Sequence, residues 1–271
     1  MNRFNREIEK DALQLRKQYG INGYGIENIF SLVEKMGITL IRYPLGKNTV
    51  CGFCTVYDGR KVIVSNTDEI LAREIFTIAH EIGHFQYDID KYSNSIMIDK
   101  DIETIENNRI EERANLFAAA FLMPKSVLCD YIEQELEKEC CELDSIDIVK
   151  IQSEFNVSYS SVLVRLFSLN LINKSQKNKL CDIRKEMTSN ILFDMINADK
   201  KLLTASKNIY VPSTYYQYVV SNYQKGYVSF DKFKEALKIV NIKDDKINSF
   251  RVDEVEDEED GWDDIDYDYF D

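Results

Sequence analysis

The chain has 271 residues, 44% of them hydrophobic and 30% charged, which is enough for a buried core and unlike the composition of a disordered or fibrous protein. Its net charge is −13, but residues 253–271 hold 12 acidic side chains and no basic one, so the remainder nets −1. A near-neutral body gives no basic patch for nucleic acid, no apolar run approaches the roughly 20 residues of a membrane helix, and the charged start from Met1 to Glu7 lacks the apolar centre of a signal peptide, so a cytoplasmic protein is expected.

Residues 4–19 place Phe4, Ile8, Ala12 and Leu15 at helical spacing, and a second helix is expected from Ile26 to Met36, closed by Gly37. The period then changes. Ile38 to Tyr43 reads as a strand, and Cys51–Tyr57 and Lys61–Ser65 flank Asp58-Gly59-Arg60 as a hairpin. Cys51 and Cys54 form a CxxC that is read as ordinary packed thiols rather than half of a zinc site or a redox pair, because no second CxxC exists and the pair lies in a strand. From Ala72 to Tyr87 a helix carries an apolar stripe (Leu71, Ile75, Ile78, Ala79, Ile82, Phe85), with Thr77, His80, Glu81, His84 and Asp88 on the other side. A polar stretch follows, with a short strand expected at Ser95–Ile98. Residues 110–123 are apolar nearly all round after Asn115, as in a buried helix, and Pro124 ends it and opens another helix from Lys125 to Glu139. Residues 146–172 read as two short helices around Asn156-Val157-Ser158, with Ser158 as N-cap, a helix-turn-helix shape. Residues 173–250 look mostly helical, with breaks at Asn208–Pro212 and Gly226–Ser229.

The protein has only two histidines, and both lie in His80-Glu81-Ile82-Gly83-His84. Spacing of four on a helix puts both imidazoles on one face, where they can share one Zn²⁺ while Glu81 reaches a metal-bound water. Gly83 costs a helix about 1 kcal/mol relative to alanine, which suggests that another backbone approaches that turn closely. A catalytic zinc usually takes three protein ligands, so with no third histidine the last must be a carboxylate or a cysteine. Glu111, at the start of the second buried helix, is the best candidate, ahead of Glu112, which points about 100° away toward solvent. Asn115 lies one turn after Glu111 on the same face, able to hydrogen-bond and orient a ligand histidine.

Phe76 to His84, together with Glu111-Glu112-Arg113-Ala114-Asn115-Leu116-Phe117-Ala118-Ala119-Ala120-Phe121-Leu122-Met123-Pro124, resembles the two signatures of the ImmA/IrrE family of zinc metallopeptidases, and residues 155–172 resemble its helix-turn-helix-like stretch. The resemblance covers roughly residues 24–172, and residues 210–242 more weakly resemble a C-terminal extension of some members. It departs from the pattern at Asp88, where many relatives carry another histidine; Asp88 either faces solvent or orders the helix end. The cysteines and the acidic tail are not family features. The resemblance implies an α+β, zincin-like metallopeptidase domain (1–145), in which a small sheet packs on the HExxH helix and the second buried helix. A helix-turn-helix-like segment (146–172), a helical region (173–252) and an acidic, disordered tail (253–271) follow. It implies Zn²⁺ held by His80, His84 and Glu111, with Glu81 as the base. It also implies an endopeptidase that cuts a helix-turn-helix repressor and so induces genes of a mobile element or stress response. With a single basic residue, Arg165, in 158–169, substrate docking or core packing is favoured over DNA reading there. None of the 16 tyrosines is marked as an oxyanion donor. The rival reading is a regulatory or antitoxin-like module that binds without cutting. For the tail, whose Trp262, Tyr267, Tyr269 and Phe270 interleave with acids, a solvating role is favoured over a docking or autoinhibitory peptide.

Overall fold

A computed structural model describes residues 3–57, 59–88, 105–240 and 242–250. The strand expected at Ser95–Ile98, Asp58 of the hairpin turn and the acidic tail at 253–271 lie outside the described residues. The chain forms two compact units, one ending at Pro212 and one beginning at Ser213. The architecture is mixed α+β, and no helix among the described residues is long and apolar enough to cross a membrane.

In the first unit, α1 (Arg3–Gln18) and α2 (Ile29–Lys35) precede a three-stranded sheet of β1 (Thr39–Tyr43), β2 (Gly52–Tyr57) and β3 (Arg60–Asn66). The second helix begins three residues later than its apolar spacing suggests, because Asn28 caps it through the backbone N–H of Ser31. Strand β3 is central, parallel to β1 and antiparallel to β2. Register places Leu40, Ile63 and Cys54 in one row across the sheet, all buried, so period-2 alternation gives the sheet one core-facing side. Cys54 is thus a core residue, as the packed-thiol reading has it.

Helix α3 (Leu71–Tyr87) follows the sheet directly. Its first turn is tied down by Glu74, fully buried, which takes two hydrogen bonds from the Arg42 guanidinium on β1 and one from the Ser65 hydroxyl on β3, each 2.8 Å. Helix α4 (Ile105–Leu122), which starts five residues earlier than expected, packs along α3. Its cover explains why the polar side of α3 is as buried as the apolar one. Gly83 sits at the crossing, where a Cβ would lie 3.2 Å from the Ala114 Cα and 3.1 Å from the Phe117 ring. The close backbone approach inferred from a mid-helix glycine is present there.

Helix α5 (Lys125–Gln134) stops short of Glu139 because the chain turns at Glu137 in a left-handed conformation (φ 52°). Helices α6 (Ser145–Glu154) and α7 (Tyr159–Ser168) are joined by a turn in which Asn156 is left-handed (φ 55°) and Ser158 caps α7 through the N–H of Ser161. Residues 146–172 and the helices α8 (Lys174–Glu186) and α9 (Ser189–Met195) all lie within the first unit, because Ile148, Val149, Val162, Leu166 and Leu192 share one continuous core with α3 and α4. The second unit comprises α10 (Ser213–Gln224), α11 (Phe230–Ile239) and α12 (Asp244–Asn248), closed over Phe233, Leu237 and Ile247 with Tyr223 stacked on Phe233.

Candidate metal centre

The α3–α4 crossing brings His80, His84 and Glu111 together, the cluster among the described residues whose ligand atoms lie within 4.8 Å of one another. His80 Nε2 is 2.9 Å from His84 Nε2 and 3.0 Å from Glu111 Oε2, and His84 Nε2 is 3.4 Å from Glu111 Oε1. Four-coordinate zinc with bonds of about 2.0–2.2 Å holds its ligand atoms about 3.3–3.6 Å apart. The cluster therefore has the right donors at nearly the right separation, with both distances from His80 a few tenths of an ångström short. The histidines are buried, whereas the Glu111 side chain is 31% exposed, so the cluster opens toward solvent on the α4 side. Burial alone would raise the Glu111 carboxyl, but hydrogen bonding to both histidines and their charge outweigh it and hold the group well below the usual range.

Two further side chains address the rings from behind. His80 Nδ1 lies 3.0 Å from Asn115 Oδ1, an acceptor for an Nδ1–H, so that with a metal bound Nε2 would be the nitrogen free to ligate. Asn115 sits where its spacing from Glu111 puts it. Asp88 is buried rather than solvent-facing. Its Oδ1 accepts a hydrogen bond from Arg113 Nη2, and its buried Oδ2, without a hydrogen bond, lies 3.8 Å from His84 Nδ1. An orphaned acceptor aimed at the far nitrogen of a histidine fits a metal site, because a ligating histidine donates its other N–H to a carboxylate or carbonyl. The signal for Asp88 was its i+4 spacing from His84. Arg113 and Glu74 carried no comparable mark.

Glu81 occupies the same turn as His80 and is buried, outside the three-residue cluster. Glu112 is exposed, as its helical angle requires. Tyr87, nearby, spends its hydroxyl on Asp11 at 2.9 Å, and burial followed by that bond raises its pKa well above the ordinary tyrosine value. Arg165 of α7 is also interior: its Nε donates to the Met123 carbonyl at 2.9 Å and its Nη2 to Glu9 of α1.

Residues 33–167 match the family model of the IrrE N-terminal-like domain of peptidase family M78. Among solved structures the chain is similar to a Mycobacterium tuberculosis transcriptional regulator, at 19% identity and a TM-score of 0.41 over 59% of this chain. The match spans 46% of that regulator, so it reaches less than half of the relative's length. No curated protein matches the sequence. The domain match falls on the sheet, the α3–α4 crossing and the α6–α7 pair, and the chain belongs to the ImmA/IrrE family, whose IrrE N-terminal-like domain it carries.

Proposed function

We propose that this protein is a zinc-dependent endopeptidase of zincin-like architecture that cleaves a helix-turn-helix transcriptional repressor in the cytoplasm. The observation that carries the reading is the convergence of His80, His84 and Glu111 at the α3–α4 crossing, within a family named for peptidase activity. Those three residues would hold Zn²⁺, which when bound makes a water acidic and polarises a carbonyl. The remaining work falls to the chain itself. Glu81, on the same turn as His80, takes the proton of the attacking water and delivers it to the leaving amine. Asn115 fixes the His80 ring and its tautomer, and Asp88 faces the corresponding nitrogen of His84. The choice of a repressor as substrate rests on the family resemblance, as does the consequence that cutting it induces genes of a mobile element or stress response. The helix-turn-helix-like pair α6–α7 serves substrate rather than DNA, in keeping with a buried Arg165.

The experiment pairs two variants with metal analysis, using as substrate helix-turn-helix regulators from the same organism. Glu81→Gln keeps zinc at wild-type stoichiometry and loses about 10²–10⁴-fold in cleavage rate. Glu111→Ala loses both zinc and cleavage. Full proteolysis by pure Glu81→Gln protein would sink the mechanism. A well-folded wild-type preparation that holds no zinc, made without chelators, would instead favour the non-cleaving module.

A further inference from the structure

A cavity of about 600 Å³ adjoins the metal cluster, within the size range of ligand sites. Glu111 and Asn115 line one end of it, Leu116 and Ala119 continue it along α4 to Met123 just past the helix end, and Val164 with its serine neighbours on α7 forms the opposite wall. Glu111, Asn115, Ala119 and Met123 are spaced by four, so they form one row along the helix. Twelve residues at 1.5 Å each give that row a length of about 18 Å, which matches about five residues of an extended peptide.

The chemistry of the wall on α7 is uncharged. Its one cation, Arg165, is buried and matched by Glu9, and what else α7 turns to the cavity is Ser160, Ser161, Val164 (56% exposed) and Ser168. The serine hydroxyls are largely satisfied at home: Ser168 Oγ donates to the Arg165 carbonyl, and Ser161 Oγ pairs with Ser158 Oγ. Such a face releases no counterions from a phosphate backbone, which is what carries protein affinity for a duplex. It does remove apolar surface from water when an uncharged polypeptide lies on it. Glu112 stands at the end nearest the cluster and repels acidic residues there.

We infer that α4 and the outer face of α7 form the substrate groove of the metal centre, which seats an uncharged, apolar stretch of about five residues of the protein substrate on one side of the scissile bond. The helix-turn-helix-like pair is then a wall of the peptide site. This inference rests on the metallopeptidase reading and deepens it.

The test uses the full, zinc-loaded chain and calorimetric titration with defined probes: acetohydroxamate, which addresses the metal alone, and hydroxamates of a tetrapeptide of leucine, valine and alanine, with the hydroxamate at either end. One of the two peptide probes binds at least tenfold tighter than acetohydroxamate, and the same peptide with two aspartates loses that gain. Val164→Asp, at an exposed position that tolerates the change, removes the gain while acetohydroxamate binding is unaltered. Ala119→Trp, which fills the groove from the α4 side, does the same. Equal affinities for all probes, or a gain that survives both variants, overturns the groove. So does tight binding of a 30-base-pair duplex that Val164→Asp weakens. If acetohydroxamate does not bind while the same apolar tetrapeptide, carrying a plain amide in place of the hydroxamate, does, the metal reading has failed and the groove stands; the reverse pattern fails the groove and leaves the metal reading intact.

Discussion

The α3–α4 and α6–α7 pairs both join two helices against a shared core, but they handle polar residues in opposite ways. In α3–α4 the polar groups are brought inside to converge on one point, and the helices touch backbone to backbone at Gly83 to make room for that. In α6–α7 the buried charges are used up in holding elements together: Arg165 joins α7 to the end of α4 and to α1, and Asp147 of α6 is matched by Lys138. The same operation, burying a charged side chain, makes a site where ligand atoms are left facing one another and a joint where each charge meets its opposite. Whether a buried charge is functional is therefore decided by its partners, and not by its depth.

Four substitutions sharpen that contrast. The largest effect is expected from Arg165→Ala, which leaves the Glu9 carboxylate buried without its cation and the Met123 carbonyl without a donor, at a cost of about 3–5 kcal/mol in denaturant unfolding. A solvent-facing arginine would change stability by no more than about 0.5 kcal/mol, so an unperturbed midpoint would remove Arg165 from the interior. Gly83→Val comes next. Its side chain must displace the Ala114 backbone and the Phe117 ring, costing about 1–3 kcal/mol and pulling Glu111 away from the histidines, so metal affinity falls with stability. Asp88→Asn, read as zinc affinity by chelator competition, loses about 10–100-fold if the buried carboxylate supports His84; unchanged affinity would assign Asp88 to its Arg113 pair alone. The smallest effect belongs to Ser158→Ala, a lost N-cap worth about 1 kcal/mol, with zinc content unaltered.

Much of the fold is legible in local pattern. The hairpin follows from Asp58-Gly59 between two alternating runs, the turn before α7 from Asn156 and Ser158, and the α3–α4 approach from a glycine where a helix would prefer alanine. The meeting of His80, His84 and Glu111 is legible because i+4 spacing handles two of them and the histidine count leaves few options for a third. What is not legible depends on distant partners. Glu74 finds Arg42 from 32 residues away, Asp88 finds Arg113 from 25, and Arg165 finds Glu9 from 156, and no helical period encodes any of these pairings. Helix ends fail for a related reason: the start of α2 is set by the Asn28 cap and the end of α5 by a left-handed Glu137, both single-residue choices that override an apolar stripe.

The clamp on Glu74 has a bearing on how the protein can be divided. Arg42, which grips Glu74, also lies over the Phe30 ring and exchanges two backbone hydrogen bonds with Tyr210, at 2.8 and 2.9 Å. The chain arriving at Tyr210 has just run past the start of α3, where Leu71 donates to the Thr204 carbonyl and Lys207 to that of Thr67. Residues 204–210 thus act as a strap across the sheet edge and the root of the histidine-bearing helix, although the family match ends at residue 167. A recombinant fragment trimmed to the match would strip that strap and expose the strand edge beneath it. The shortest piece that keeps α3 seated extends to Pro212, where the first unit ends.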